Sequence, residues 1–369
     1  MKNRIRNLTF ALLFITLMVS ITPIALAKTR QSHLIDLVYK FQNNNESFGS
    51  SPQDTANAIE ILELYNAYVL EILFEEPKSV DKPDLKDYLK NEIQAMFTTV
   101  EIDITKLYYH LETLDTLEPL ETSLNSTLHN EIYYYLNNTY QAGGGFSPTN
   151  TSKAANMVST YYIYNIFGLI NEQVENDTTH KTWLLSCSNT DGGYGGNESL
   201  SSTLITTYFA VYLISELGTI NDLTNQTSTL NYFKSLYVGD SNNLAHYGGY
   251  LPDLFAETPL LSSTLFCVEG IRLIDEIELD TVATSNWVLG RQNFLDGGFS
   301  DWTEGIDESY SSISTSYFAF KILRTLETLD LLNEDIFEVE FNFLILVIVS
   351  SVIGVIVVAV FIVMRRRRI

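Results

Sequence analysis

A short glycine-aromatic turn recurs along the chain and leaves few folds open to it. It reads Gly-Gly-Gly-Phe at 143–146, Asp-Gly-Gly-Tyr at 191–194, Tyr-Gly-Gly-Tyr at 247–250 and Asp-Gly-Gly-Phe at 296–299, with its aromatic residues 48, 56 and 49 positions apart. Phe48, in Glu46-Ser47-Phe48-Gly49, stands 98 positions before Phe146, twice that interval, so a degenerate unit without the glycines is expected around Phe97. A fixed period of this length is the mark of a repeat architecture, and here it predicts about six units of about 49 residues. Helical sequence lies on both sides of each turn, such as Lys181 to Ser188 before one and Thr206-Thr207-Tyr208-Phe209-Ala210 after it. Each unit is therefore expected to be a helical hairpin whose apolar stripes are buried only against the next hairpin. Glycine lets the chain take positive φ as a helix ends, and the aromatic residue can then plug between neighbouring helices. The first and last units are as apolar as the middle ones, which favours closure into a ring over an open array with polar caps.

The two ends of the chain differ from this body. Lys2, Arg4 and Arg6 precede an apolar run from Leu8 to Ile21, then Pro23 and Ala25-Leu26-Ala27, the order of a secretory leader cleaved after Ala27. Phe343 to Met364 is apolar and long enough to span a bilayer, and Arg365 to Arg368 follow, which would hold that side in the cytoplasm. The expected organisation is a leader at 1–27, a helical ectodomain at 28–335, a transmembrane helix at 341–364 and a tail at 365–369. The expected fold class is all-α, an α/α toroid with one C-terminal transmembrane helix. The expected location is the cell membrane, single-pass, with the body outside.

Charge narrows the partners. All 45 acidic residues lie between Lys28 and Glu340 against 15 of the 22 basic ones, so that stretch carries −30, which repels nucleic acid. It suits solubility, cations, basic partners, neutral glycans or lipids. Seven Asn-x-Ser/Thr acceptors, at Asn45, Asn125, Asn137, Asn150, Asn176, Asn197 and Asn225, agree with an outside location. Cys187 and Cys267 are the only cysteines, which excludes a disulfide scaffold and leaves their pairing open.

Six hairpins with Gly-Gly-aromatic turns resemble the α/α-toroid superfamily over residues 31–332. Its members include protein prenyltransferase β subunits, squalene and other terpene cyclases, and complement-like thioester domains. Gln292-Asn293-Phe294-Leu295-Asp296-Gly297-Gly298-Phe299 is similar to a late prenyltransferase repeat and to the Gln-to-Gly-aromatic motif of the cyclases. The resemblance implies the fold; the chemistry of those families needs further motifs. Where the prenyltransferases hold zinc with Asp-x-Cys and His, this chain has Ser262, Thr264 and Ser314. The Asp-x-Asp-Asp of the cyclases is absent, and Cys267-Val268-Glu269-Gly270 lacks the glutamine that a thioester requires.

No metal or cofactor is therefore expected, and no catalytic residue is assigned. The fullest loops between turn and inner helix belong to units five and six. They carry His246, Asp253, Glu257, Asp301, Trp302, Glu304 and Asp307, candidate ligand-binding residues on a rigid scaffold. The tyrosines at helical spacing read mostly as core. The function expected is a non-catalytic binding or interaction module for an unknown protein, glycan or lipid. An enzyme acting on an isoprenoid or glycan with carboxylates of the last two repeats is the alternative. A deep apolar cavity would favour the isoprenoid.

Overall fold

The computed structural model describes residues 29–70, 77–99, 101–293, 296–301 and 311–334. The chain divides into two units, one of 34–329 and one of 1–33 with 330–369. In the second of these, the Arg30 amide donates to the Glu334 carbonyl at 2.9 Å.

Within 34–329, which takes in all but the first four residues of the first helix, the chain alternates outer and inner helices. The outer ones are α1 (Arg30–Lys40), α3 (Lys82–Met96), α6 (Ser126–Asn137), α8 (Asp177–Ser186), α10 (Gln226–Lys234) and α12 (Thr281–Leu289). The inner ones are α2 (Pro52–Leu64), α4 (Ile104–Leu117), α7 (Met157–Leu169), α9 (Leu204–Leu217), α11 (Leu261–Asp275) and α13 (Ile313–Thr325), and α5 is a single turn at Leu120–Ser123. Each inner helix packs on the next, and α13 packs back on α2, so six hairpins close a ring. One two-stranded antiparallel pair, Val69–Leu70 with Lys78–Ser79, joins the first hairpin to the second.

The recurring turn holds inner and outer layers together. Phe48, Phe146, Tyr194, Tyr250 and Phe299 are each at most 2% exposed, and each forms a bridge to the end of its outer helix. Burying the aromatic residue also buries its backbone N–H, which needs an acceptor. A hydroxyl on the inner helix supplies it every time. Thr55, Thr160, Thr207, Thr264 and Ser316 accept at 3.1, 2.9, 2.9, 3.0 and 2.9 Å respectively. In three units the preceding hydroxyl, Thr206, Ser263 or Thr315, donates to the carbonyl of the same aromatic residue at 2.6 Å.

The turn glycines have a second reason to lack a side chain. Gly192 has φ +88° and Gly248 φ +96°, and a Cβ there would lie 2.3 Å from the Ser228 carbonyl or 2.2 Å from that of Ala283. These two turns therefore sit directly on the outer helices that follow them. At the last turn, a Cβ on Gly298 would lie 2.5 Å from Leu37 of α1, which continues the same packing across the closure.

Phe97 lies in a hairpin, as the interval requires, but not at the plug position. It ends α3, half-buried, with its ring edge-on to Tyr135 of α6 at 6.2 Å.

The fold-class expectation needs one correction. Among the described residues no helix is long and apolar enough to cross a membrane. Even α3 and α11, at 15 residues each, rise about 22 Å, short of the roughly 30 Å of a hydrocarbon core. The expected leader at 1–27 and span at 343–364 lie outside the described residues, and the fold shown is a mostly helical α/α toroid.

Replacing Thr207 by Val keeps the shape but leaves the Tyr194 N–H without its acceptor. We expect a loss of about 1–3 kcal/mol in urea unfolding, the cost of an unpaired buried donor. A loss below about 0.5 kcal/mol would show that the clip does not stabilise the ring.

Candidate functional site

The inner helices face one another across a central cavity of about 540 Å³. Five present the same register to it, an adjacent pair and then a residue one turn on. The triplets are Tyr108, Tyr109 and Glu112; Tyr161, Tyr162 and Asn165; Tyr208, Phe209 and Tyr212; Leu265, Phe266 and Glu269; and Tyr317, Phe318 and Lys321. Residues i, i+1 and i+4 share one face of a helix, so this register follows from helical geometry. On α2 the corresponding cavity residue of the pair is Asn57, and Glu60 follows at the third position.

Ten aromatic side chains thus line the cavity, ahead of a polar layer nearer the helix C-termini. The rings support one another: Tyr161 stacks on Phe209 with centroids 3.9 Å apart, and Tyr208 on Phe266 at 5.4 Å. The inner-helix tyrosines are therefore a cavity wall, whereas Tyr39, Tyr194 and Tyr250 lie in the core as expected. Periodicity identifies the face of a helix that is withdrawn from solvent, and a cavity wall is withdrawn in the same way as a core.

The polar layer is strongly interconnected. Glu60 accepts from Tyr317 at 2.5 Å, Lys321 at 3.0 Å and Arg324 at 2.7 Å, which ties α13 to α2 at the closure of the ring. Glu269 accepts from Thr325 at 2.6 Å and pairs with Arg272 at 3.6 Å. Tyr212 donates to Asn165 at 2.9 Å.

Glu112 is the carboxyl of this layer that no cation contacts among the described residues. Tyr108 donates to it at 2.5 Å. Burial pushes its pKa up to about 7; the Tyr108 hydrogen bond and the Lys321 charge oppose that rise, and the Glu60 charge adds to it. Sequence reasoning missed Glu112, Glu269 and Lys321. The available signal was a polar residue four positions after the first aromatic of each repeated pair.

A second hollow of about 520 Å³ shares Tyr108, Asn165 and Tyr212 with the cavity and continues past Glu172, Asp177 and Glu216. Its rim is acidic.

The described candidates from units five and six make mostly local contacts. His246 is half-exposed and meets the Asn243 amide at 3.3 Å. Asp253 is exposed and accepts from the Phe255 and Ala256 amides at 2.7 and 3.0 Å, and Glu257 is exposed. Asp301 accepts from the Leu261 amide at 2.6 Å and so caps α11; burial raises its pKa, opposed by that bond and by Arg291. None of these four lines the central cavity. Trp302, Glu304 and Asp307 lie outside the described residues.

Cys187 and Cys267 are free, buried thiols. Ser262 lines the cavity, Thr264 belongs to a clip, and Ser314 donates to Asp54 at 2.9 Å. Among the described residues no group of three His, Cys, Asp or Glu side chains is placed to hold a metal ion.

A closed ring of six helical hairpins around an aromatic cavity defines an α/α toroid. The chain belongs to the prenyltransferase alpha-alpha toroid domain family, which matches at residues 1–156, 85–178, 150–249 and 250–340. It is similar in fold to Candida albicans protein geranylgeranyltransferase-I complexed with GGPP, with 16% identity and a TM-score of 0.51 over 88% of this chain and 92% of that one. It is similar also to the type II terpene cyclase MstE from Scytonema, with 10% identity and a TM-score of 0.50 over 82% of this chain and 98% of that one. The comparison with curated proteins finds no match.

Because the folded pKa of Glu112 lies above its unfolded value, the native state holds the proton more tightly. Its favourable contribution is complete below about pH 4.5 and is lost as pH rises to about 7. Glu112→Gln keeps an acceptor for Tyr108 and removes the charge. After discounting for solvation by the cavity, we expect the variant to match the wild type at pH 4.5 and to exceed it by about 2 kcal/mol at pH 8. Equal stability at both pH values would mean that Glu112 ionises freely in the fold.

Proposed function

We propose that the protein binds an elongated hydrocarbon ligand of the isoprenoid class in the central cavity of the toroid, as a non-catalytic binding module. The observation that carries this is the wall of ten aromatic residues around about 540 Å³, within the 300–1,000 Å³ typical of small-molecule sites. Aromatic walls bury a polyene chain with large area and little loss of side-chain freedom. The two fold neighbours lend support: one is a protein geranylgeranyltransferase complexed with GGPP, the other a terpene cyclase.

A second reading has its own observation. Glu112 titrates near 7, the range that suits a general acid or base, and it lies on the same wall. An enzyme that moves a proton on a bound chain would use it. Turnover of an isoprenoid, lost in Glu112→Gln with binding kept, would favour that reading.

The binding reading is tested by titrating geranylgeraniol into the protein and following tyrosine fluorescence. We expect saturable binding that Phe266→Asp weakens at least about tenfold, because a carboxylate is then desolvated against the chain. Asp253→Asn should leave it unchanged. The reverse pattern would move the site to the rim loops of units five and six.

We also propose that the body is extracytoplasmic. The leader-like order at 1–27 supports this, as do the seven acceptor asparagines, none of them buried: Asn45, Asn125, Asn150, Asn176 and Asn225 are exposed, and Asn137 and Asn197 partly so. Asparagine-glycan removal should increase the gel mobility of protein taken from its own cells. Unchanged mobility, with all seven sites unmodified by mass spectrometry, would count against it.

A further inference from the structure

Five inner helices place an aromatic residue at the second position of the cavity-facing pair: Tyr109, Tyr162, Phe209, Phe266 and Phe318. The first helix places Asn57 there instead. Asn57 is 3% exposed, and its amide nitrogen has no hydrogen-bond partner among the described residues. An unpaired buried amide is destabilising, and any apolar residue at this position would avoid that cost. The exception at the second position is thus a polar side chain in the lining of the cavity, its amide nitrogen enclosed there without a partner among the described residues. Gln53, one turn earlier on the same face, adds a second amide to that side.

The charged groups of the wall limit what that filler can be. Its two cations are already engaged, Lys321 by Glu60 at 3.0 Å and Arg272 by Glu269 at 3.6 Å. Glu112 adds a carboxyl with no cation against it among the described residues, and the adjoining hollow is acidic at Glu172, Asp177 and Glu216. A diphosphate would meet no unengaged cation among the described residues of this wall and would face repulsion from the carboxylates. An uncharged oxygen would meet neither obstacle.

From this we infer that the ligand carries a neutral oxygen, an alcohol or a carbonyl, which accepts a hydrogen bond from Asn57, and that Asn57 selects such chains over both bare hydrocarbons and diphosphates. The inference rests on the chain-binding reading of the cavity.

The test compares three C20 probes on the full chain: geranylgeraniol, geranylgeranyl diphosphate and a polyene hydrocarbon of equal length. We expect the alcohol to bind about tenfold more tightly than the hydrocarbon, the discrimination one buried neutral hydrogen bond provides, and more tightly than the diphosphate. Asn57→Leu should bring the alcohol to the level of the hydrocarbon and leave the hydrocarbon unchanged. Equal binding of alcohol and hydrocarbon by the wild type would overturn the inference, since Asn57 would then hold only a water. Tighter binding of the diphosphate would overturn it as well. Both wild-type outcomes are independent of whether the variant folds. If none of the three probes binds, the chain-binding reading fails, and this inference with it.

Discussion

The hydrogen bond from each plug aromatic's N–H to a hydroxyl on its inner helix is the contact on which the ring depends. A large aromatic residue can enter the space between layers only if its backbone is satisfied there, since a buried unpaired N–H would offset much of the gain from burying the ring. The hydroxyl also fixes the height of the inner helix against the turn. Thr207 beneath Tyr194 and Ser316 beneath Phe299 set that height in the same way. Common heights bring the aromatic pairs of neighbouring inner helices level, so the cavity wall is continuous.

Closure adds a constraint that no single hairpin contains. The seam between α13 and α2 is knit by Glu60, which takes hydrogen bonds from three side chains of the last helix. These contacts also occupy Lys321, one of the two cations of the wall. The residue that helps close the ring therefore helps decide the electrostatics of what the ring encloses. Glu112 remains in the same layer without a cation, and its raised pKa follows from burial near Glu60.

The cavity is more informative about ligand chemistry than the rim. Asp253 and Asp301 spend their hydrogen-bonding capacity on local backbone, one in its own loop and the other at the start of α11. Short-range capping of this kind is what acidic loop residues beside helix N-termini commonly do. The wall is different, because there Asn57 interrupts a repeated aromatic pattern.

The sequence by itself determined the repeat, its count and its closure. The interval between turn aromatics gave six units, and the hydroxyl pairs that became clips, such as Thr206-Thr207 and Ser263-Thr264, stood in the helical sequence after the turns. It placed Phe97 in the right hairpin but could not show that its ring stays half-buried at the end of α3, against Tyr135. Only the tertiary structure decided which face of each inner helix turns to the cavity, because a 3.6-residue period marks a face hidden from water without saying what hides it. For the same reason Tyr161, Glu112 and Asn57 could not be assigned to one site beforehand. They lie 49 and 55 positions from one another along the chain and meet only when six helices are brought level around one axis.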